Sequence, residues 1–285
     1  MEEKLKVLAA KVTDKLNDGL RAKADMFRKN NGYFQPGIKI IKEGSPLMPC
    51  MYVDPDLLSS DMDLDVEAEK MARFVLNKGF QEMAEEANVN VDTFLTREGL
   101  LNSVIPCLIG YEKNREILDN IPHRRFLDMA IVFRGAILSE NKTKCTGSIL
   151  INNAVMNAAN ITLEELEEAA TKNVEDVYII REMFELRIAT SKYYCHGAAA
   201  VLRTKLLDRL AEVEADGGRI WLIPSSVHEM IAFDADLVPE DKVLSFVKNV
   251  NGNKEIMEEE DILTDSVYIY DPAEKELRIA ISGEG

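Results

Sequence analysis

The stretch Arg219–Asp234, RIWLIPSSVHEMIAFD, constrains this chain more than any other. Two apolar runs flank a short polar break that begins at Pro224. The pattern predicts a strand, a turn and a second strand. The same stretch holds the only tryptophan and one of three histidines. It also carries the densest run of reactive side chains: Ser225, Ser226, His228 and Glu229.

The rest of the chain alternates similar apolar runs with amphipathic periods. Glu2–Lys29 carries Leu5, Leu8, Val12, Leu16, Leu20, Ala24 and Phe27 at three- and four-residue steps. That spacing predicts one long helix, ended by Asn30, Asn31 and Gly32. A helix this long can pack on its own domain or on a second copy of the chain. Gly37–Gly44 and Pro49–Pro55 read as a hairpin turning at Gly44, Ser45 and Pro46. A helix follows over Asp61–Ala87, with Phe80 and Met83 late in its stripe and a weak point at Gly79.

Asn102–Tyr111 has strand length, and its Pro106 points to an edge strand or a bulge. Glu112–Asn120 reads as a short helix. Phe126–Leu138 reads as a long central strand, joined through a polar turn at Ser139–Gly147 to a second strand at Ser148–Asn153. Thr162 and Glu165 form a capping box that opens a helix. Helical spacing resumes over Asp176–Leu186, on Val177, Ile180, Met183 and Phe184. Ile188–Thr190 and His196–Leu202 read as a strand pair. Thr204–Ala215 is an amphipathic helix, Pro239 opens another to Asn249, and Ser266–Asp271 with Glu276–Ser282 closes the chain as a hairpin. The expectation is an α+β fold, antiparallel hairpins and sheets packed against amphipathic helices. The expected organisation is a helix-rich portion over 1–120 with a small hairpin, and an α+β domain over 121–285.

The chain has 285 residues and a net charge of −16, with 50 acidic against 34 basic side chains. That balance argues against nucleic acid, which needs clustered Lys and Arg, and against anionic membrane surfaces. No segment approaches the ~18 apolar residues of a membrane span, and MEEKLKVLAAKV is not a signal peptide. Cys50, Cys107, Cys145 and Cys195 form no C-x-x-C pair and no zinc-like spacing with the histidines. Scattered cysteines of this kind are usually reduced, which fits a cytoplasmic protein.

Several phrases carry a resemblance: NREILDNIPHRRFLDMAIVF from Asn114 to Phe133, SILINN, IWLIPSSVHEMI from Ile220 to Ile231, and ILTDSVYIYD from Ile262 to Asp271. They resemble a bacterial family designated domain of unknown function 5688, over about residues 37–271. The resemblance implies a bacterial, cytoplasmic protein and carries over no chemistry. The chain departs from the family pattern at SKYYCHGAAA, Ser191–Ala200.

Each constellation has a structural reading beside a chemical one. Ser225 or Ser226 with His228 supplies the nucleophile and base of a hydrolase, and Glu229 supplies an acid. Residues this close in sequence seldom converge into a triad, and there is no G-x-S-x-G elbow. Ser226-x-x-Glu229 is itself a capping box. His123, Arg124 and Arg125 are the one compact basic cluster and the candidate ligand-binding residues, since Arg grips carboxylate or phosphate. The alternative is that they answer the protein's own acids. Asp61, Asp63 and Asp65 begin like a calcium loop, but Val66 and Ala72 stand where Gly and Glu are required, so they read as a helix start. Cys195 and His196, adjacent in an expected strand, would point to opposite faces. His123, His196 and His228 make a metal site only if the fold gathers them.

The expected function is therefore a non-catalytic binding or regulatory protein with a protein or small-molecule partner, no metal and no cofactor. The alternatives are a hydrolase using His228 with Ser225 or Ser226, and a metal-binding protein using the three histidines.

Overall fold

A computed structural model describes residues 1–17, 19–44, 48–61, 63–79, 96–138, 145–183, 186–193, 195–253 and 255–283, with the backbone alone at Thr146. The expected turn at Ser45 and Pro46, the helix beyond Gly79 with Phe80 and Met83, the polar turn from Ser139 to Lys144, and Phe184 lie outside these residues. The fold is α+β, with three antiparallel sheets among the described residues. Backbone contacts divide it into Met1–Val91 and Asp92–Gly285.

In the first unit, α1 (Glu2–Lys15) buries Leu5, Leu8, Ala9 and Val12. The helix then stops, and β1 (Leu20–Arg28) begins. The expected helix to Lys29 is thus corrected. Leu16 is extended and Gly19 takes φ 71°, a left-handed conformation that glycine adopts freely. Leu20, Ala22, Ala24 and Met26 also satisfy the two-residue period of a strand, and all four pack on this unit's core. Thr13 Oγ1 accepts the Ala22 N–H at 2.9 Å, which fixes the reversal. Asn30, Asn31 and Gly32 turn β1 into β2 (Phe34–Lys42), its partner over the whole strand. β3 (Cys50–Tyr52) pairs with β2 as expected. α2 (Pro55–Ser59) and α3 (Leu64–Lys78) follow. Asp63 caps α3 by accepting the Asp65 and Val66 N–H groups, the helix-start reading of that acidic run. The apolar face of α1 lies in its own unit's core with Ile38, Ile40 and Val75.

In the second unit, α4 (Arg97–Ser103) leads into β4 (Val104–Gly110). Among the described residues β4 pairs with β6 alone, so there Pro106 stands on an edge strand. A short helical stretch, ending in α5 (Arg115–Leu118), leads to β5 (His123–Phe126). Leu127, at φ 57°, turns the chain into β6 (Met129–Leu138). β6 is central: β4 lies along one side, β5 and then β7 (Cys145–Leu150) along the other. A cut at residue 120 would separate β4 from this partner.

After α6 (Asn153–Ala158), the Thr162 capping box opens α7 (Leu163–Asn173). The helix expected over Asp176–Leu186 is instead β8 (Tyr178–Met183), paired with β9 (Leu186–Ser191). Its apolar residues fit both periods, and pairing with β9 decides between them. The strand expected over His196–Leu202 is a 3-10 helix, Gly197–Leu202. His196 takes φ 49°, and a Cβ at Gly197 would meet Ser191 N at 2.3 Å and the His228 oxygen at 2.4 Å. Close backbone approach therefore sets this turn.

α8 (Thr204–Ala215), β10 (Ile220–Ser226), β11 (Glu229–Asp234), α9 (Glu240–Asn251), β12 (Val267–Asp271) and β13 (Glu276–Ile281) follow. The second sheet runs β13-β12-β10-β11-β9-β8. Ile220 and Leu222 pack with the 3-10 helix and Leu207 and Leu210 of α8. Trp221 and Ile223 pack on Val243 and Val247 of α9. Both faces of β10 are therefore covered, which is why it reads as an unbroken apolar run.

Candidate functional site

The turn between β10 and β11 does not form a helical cap. The ladder shifts register between Pro224 and Ser226, a bulge that brings Ser226 opposite Glu229. Ser226 Oγ accepts the His228 N–H at 3.0 Å. Glu229 does not reach back to the main chain; its Oε1 accepts from Ser225 Oγ at 3.1 Å. The capping-box expectation is corrected accordingly: Ser226 accepts the N–H two residues on rather than that of Glu229, and Glu229 turns to the Ser225 side chain.

Main-chain groups hold His228 on two sides. Its Nδ1 accepts the N–H of His196 at 3.0 Å, and its carbonyl accepts from Thr190 Oγ1 at 3.0 Å. Its Nε2 lies 3.4 Å from Asp261 Oδ1. An N–H aimed at Nδ1 requires a lone pair there, so the neutral ring carries its proton on Nε2, facing Asp261. A triad needs one imidazole nitrogen for the serine and the other for the acid. Here the backbone occupies the serine's place, and the two serines bond to Glu229 and to the His228 N–H.

The structure brings His196 and His228 together, with ring centroids 5.5 Å apart. The left-handed turn, not a strand, sets the direction of His196. Its Nε2 is 3.2 Å from Ser148 Oγ, which also accepts from Arg134 Nε at 2.7 Å. Burial, then the charges of Arg134 and His228, hold the His196 imidazole down to about 3, against an opposing pull from Asp261. A base this weak does not take up protons near neutrality.

His123 does not join the other two histidines. Its Nδ1 is 3.1 Å from the Ile121 carbonyl, and its ring lies against Tyr111. Among the described residues no group of three or more His, Cys, Asp or Glu side chains is placed to hold a metal. The basic triplet is split by strand alternation. Arg124 pairs with Glu167 at 2.7 Å and Glu164 at 2.9 Å on α7. The Arg125 guanidinium lies 4.4 Å from the Tyr111 ring centroid, and its Nε donates to the Leu127 carbonyl at 3.2 Å.

A different place has the form of a ligand seat. A cavity of about 280 Å³ lies beneath α7, between β4, β6, β8 and the end of the 3-10 helix. Pro106, Ile131, Phe133, Val174, Tyr178 and Leu202 give it a largely apolar lining, which Glu167 and Arg203 join. It adjoins a shallow polar shelf that shares Glu167, Thr171 and Arg203 and adds Lys172, Glu168 and Glu175. The Tyr178 hydroxyl donates to the Pro106 carbonyl at 3.4 Å, and burial raises its pKa well above the phenol value. Glu167 is engaged by Arg124. Arg203 donates to the Thr171 carbonyl at 3.3 Å, and among the described residues no carboxylate pairs with it. Sequence reasoning missed this cavity because its lining comes from segments far apart in the chain, none with a local signal.

The sequence profile of one family, described as Family of unknown function (DUF5688), matches residues 1–187 and 180–272. No curated protein and no solved structure matches the chain. Among the described residues, no helix is long and apolar enough to cross a membrane.

Proposed function

Given that the chain belongs to the DUF5688 family, which brings no activity with it, we propose that it is a non-catalytic binding protein whose ligand occupies the cavity beneath α7. The ligand class that fits is a small molecule with an apolar body and a carboxylate head. The body lies over Phe133, Val174 and Leu202, and the head meets Arg203. The single observation that carries the reading is an arginine in the lining of an apolar hollow that, among the described residues, has no carboxylate partner. Sites of this kind combine apolar walls with a few polar groups that fix orientation, and at about 300–1,000 Å³ are usually somewhat larger. Arg binds carboxylates through two parallel N–H donors. The engagement of Ser225, Ser226 and His228 with one another, with Glu229 and with the backbone supports the non-catalytic half.

The test is amide NMR titration of the full chain with octanoate and, separately, octanol. Octanoate shifts the amides of residues 170–174 and 202–203, and octanol binds at least about tenfold more weakly, a difference of roughly 1.4 kcal/mol. Arg203→Gln abolishes that preference. Absence of octanoate shifts at these residues, or equal binding of both probes, contradicts the proposal.

A further inference from the structure

The cluster around Arg134 contains a second pair of groups that the binding reading does not use. Cys145 is the first residue of β7, at a bulge where the ladder slips between Ile137 and Leu138. Cys195 immediately precedes left-handed His196. Bulges and left-handed residues re-aim side chains. The Cys145 N–H donates to the Tyr193 carbonyl at 3.5 Å, which ties the start of β7 to the turn that carries Cys195. The two thiols are free and half-buried, and each shifts the titration of the other. In its thiol form, Cys145 Sγ donates to the Gly147 carbonyl at 3.1 Å.

We infer that Cys145 and Cys195 form a reversible dithiol site for peroxides, with Cys145 as the attacking sulfur and Cys195 as the resolving one. The chemistry balances in two steps. The Cys145 thiolate attacks a peroxide oxygen: the S–O bond forms, the O–O bond breaks, and the departing hydroxide or alkoxide takes a proton. Cys145 is oxidised by two electrons to a sulfenic acid, and the peroxide is reduced by two. Cys195 sulfur then attacks Cys145 sulfur: the S–S bond forms, the S–O bond breaks, and hydroxide leaves with the Cys195 proton as water. An external dithiol returns the pair to the free thiols.

The roles follow from the surroundings. The neighbouring Cys195 lowers the Cys145 pKa, and Cys145 in turn raises that of Cys195. Main-chain hydrogen bonds from Gly147 and Ile137, and the Arg134 charge, favour the Cys145 thiolate further. Reactive cysteines sit in electropositive, partly accessible settings of this kind. The other two cysteines are internal controls. Burial pushes the Cys107 thiol up to about 12 and the Cys50 thiol up to about 11.

The experiment treats the reduced full chain with hydrogen peroxide, blocks remaining thiols and maps peptides by mass spectrometry without reduction. The expected product is a Cys145–Cys195 crosslinked peptide that a dithiol reverses, formed while Cys50 and Cys107 remain reduced. In Cys195→Ser, dimedone traps a sulfenic acid on Cys145; in Cys145→Ser, no adduct appears on Cys195. The inference is overturned if Cys50 oxidises as fast as Cys145, if the crosslink joins other cysteines or two copies of the chain, or if neither cysteine reacts. The result is independent of octanoate binding, so the two proposals fail separately.

Discussion

The main-chain N–H of His196 donates to Nδ1 of His228 across 32 residues of sequence, at 3.0 Å. This bond sets the tautomer of one histidine and the backbone of the other. Long-range nitrogen–proton NMR of the neutral protein is therefore expected to find the His228 proton on Nε2. His228→Ala leaves the His196 N–H without its acceptor in a partly buried site, at a cost of about 1–3 kcal/mol in urea unfolding. A cost near zero would mean that water replaces the ring.

Gly197 stands where three groups converge. A Cβ there would meet Ser191 N, His228 O and Thr190 Oγ1 at 2.3, 2.4 and 2.7 Å. Two of these atoms are backbone, so relief requires β9 or the β10–β11 turn to move. Gly197→Ala is expected to destabilise the second unit by more than about 3 kcal/mol, beyond ordinary overpacking. Denaturant titration of the purified variant checks this, and a wild-type midpoint contradicts it.

His196 gives stability a pH dependence. Its imidazole is held down to about 3 by burial and by the Arg134 and His228 charges, whereas an unfolded histidine titrates near about 6.5. Between these values the unfolded chain binds a proton that the folded chain does not. Stability therefore falls as pH falls from 6.5 toward 3, by up to about 1.4 kcal/mol per pH unit. Carboxylates held below their usual range, such as Glu165 beside Arg97, lose their stabilising effect only at lower pH. His196→Asn tolerates the left-handed backbone and removes the titration. The urea midpoint of the wild type is expected to drop between pH 7 and pH 5 more steeply than that of the variant. Parallel curves contradict the assignment.

Oxidation of Cys145 and Cys195 closes a loop of about 50 residues, which by the chain-entropy argument raises stability by about 4 kcal/mol in the absence of native strain. Guanidinium unfolding of oxidised against reduced protein measures the difference. Equal midpoints would show strain cancelling the gain.

Much of the sheet architecture is legible in the sequence because strands announce themselves locally. The β10–β11 and β12–β13 hairpins, the edge position of Pro106 and the Thr162 cap all follow from residues a few positions apart. The misread elements are those whose apolar residues satisfy two periods at once. Leu16, Leu20 and Ala24 fit a helix, while Leu20, Ala22, Ala24 and Met26 fit a strand, and Gly19 with Thr13 decides. Val177, Ile180 and Met183 fit a helix, while Tyr178 and Ile180, two apart, pack on the core from β8 once β9 pairs with it. The candidate site was less legible. His228 and the serines were visible as residues, but their partners Asp261, His196 and Ser148 are distant in sequence. The contact between Cys145 and Cys195 depends on a bulge and a left-handed turn that neither segment displays alone.

The central claim is that function resides in the cavity at Arg203 and not in the serine–histidine turn. The most direct measurement is octanoate affinity, by calorimetry, for the wild type, Arg203→Gln and Ser225→Ala. The account predicts about tenfold or greater weakening in Arg203→Gln and wild-type affinity in Ser225→Ala. Wild-type affinity in Arg203→Gln, or loss of binding in Ser225→Ala alone, would contradict it.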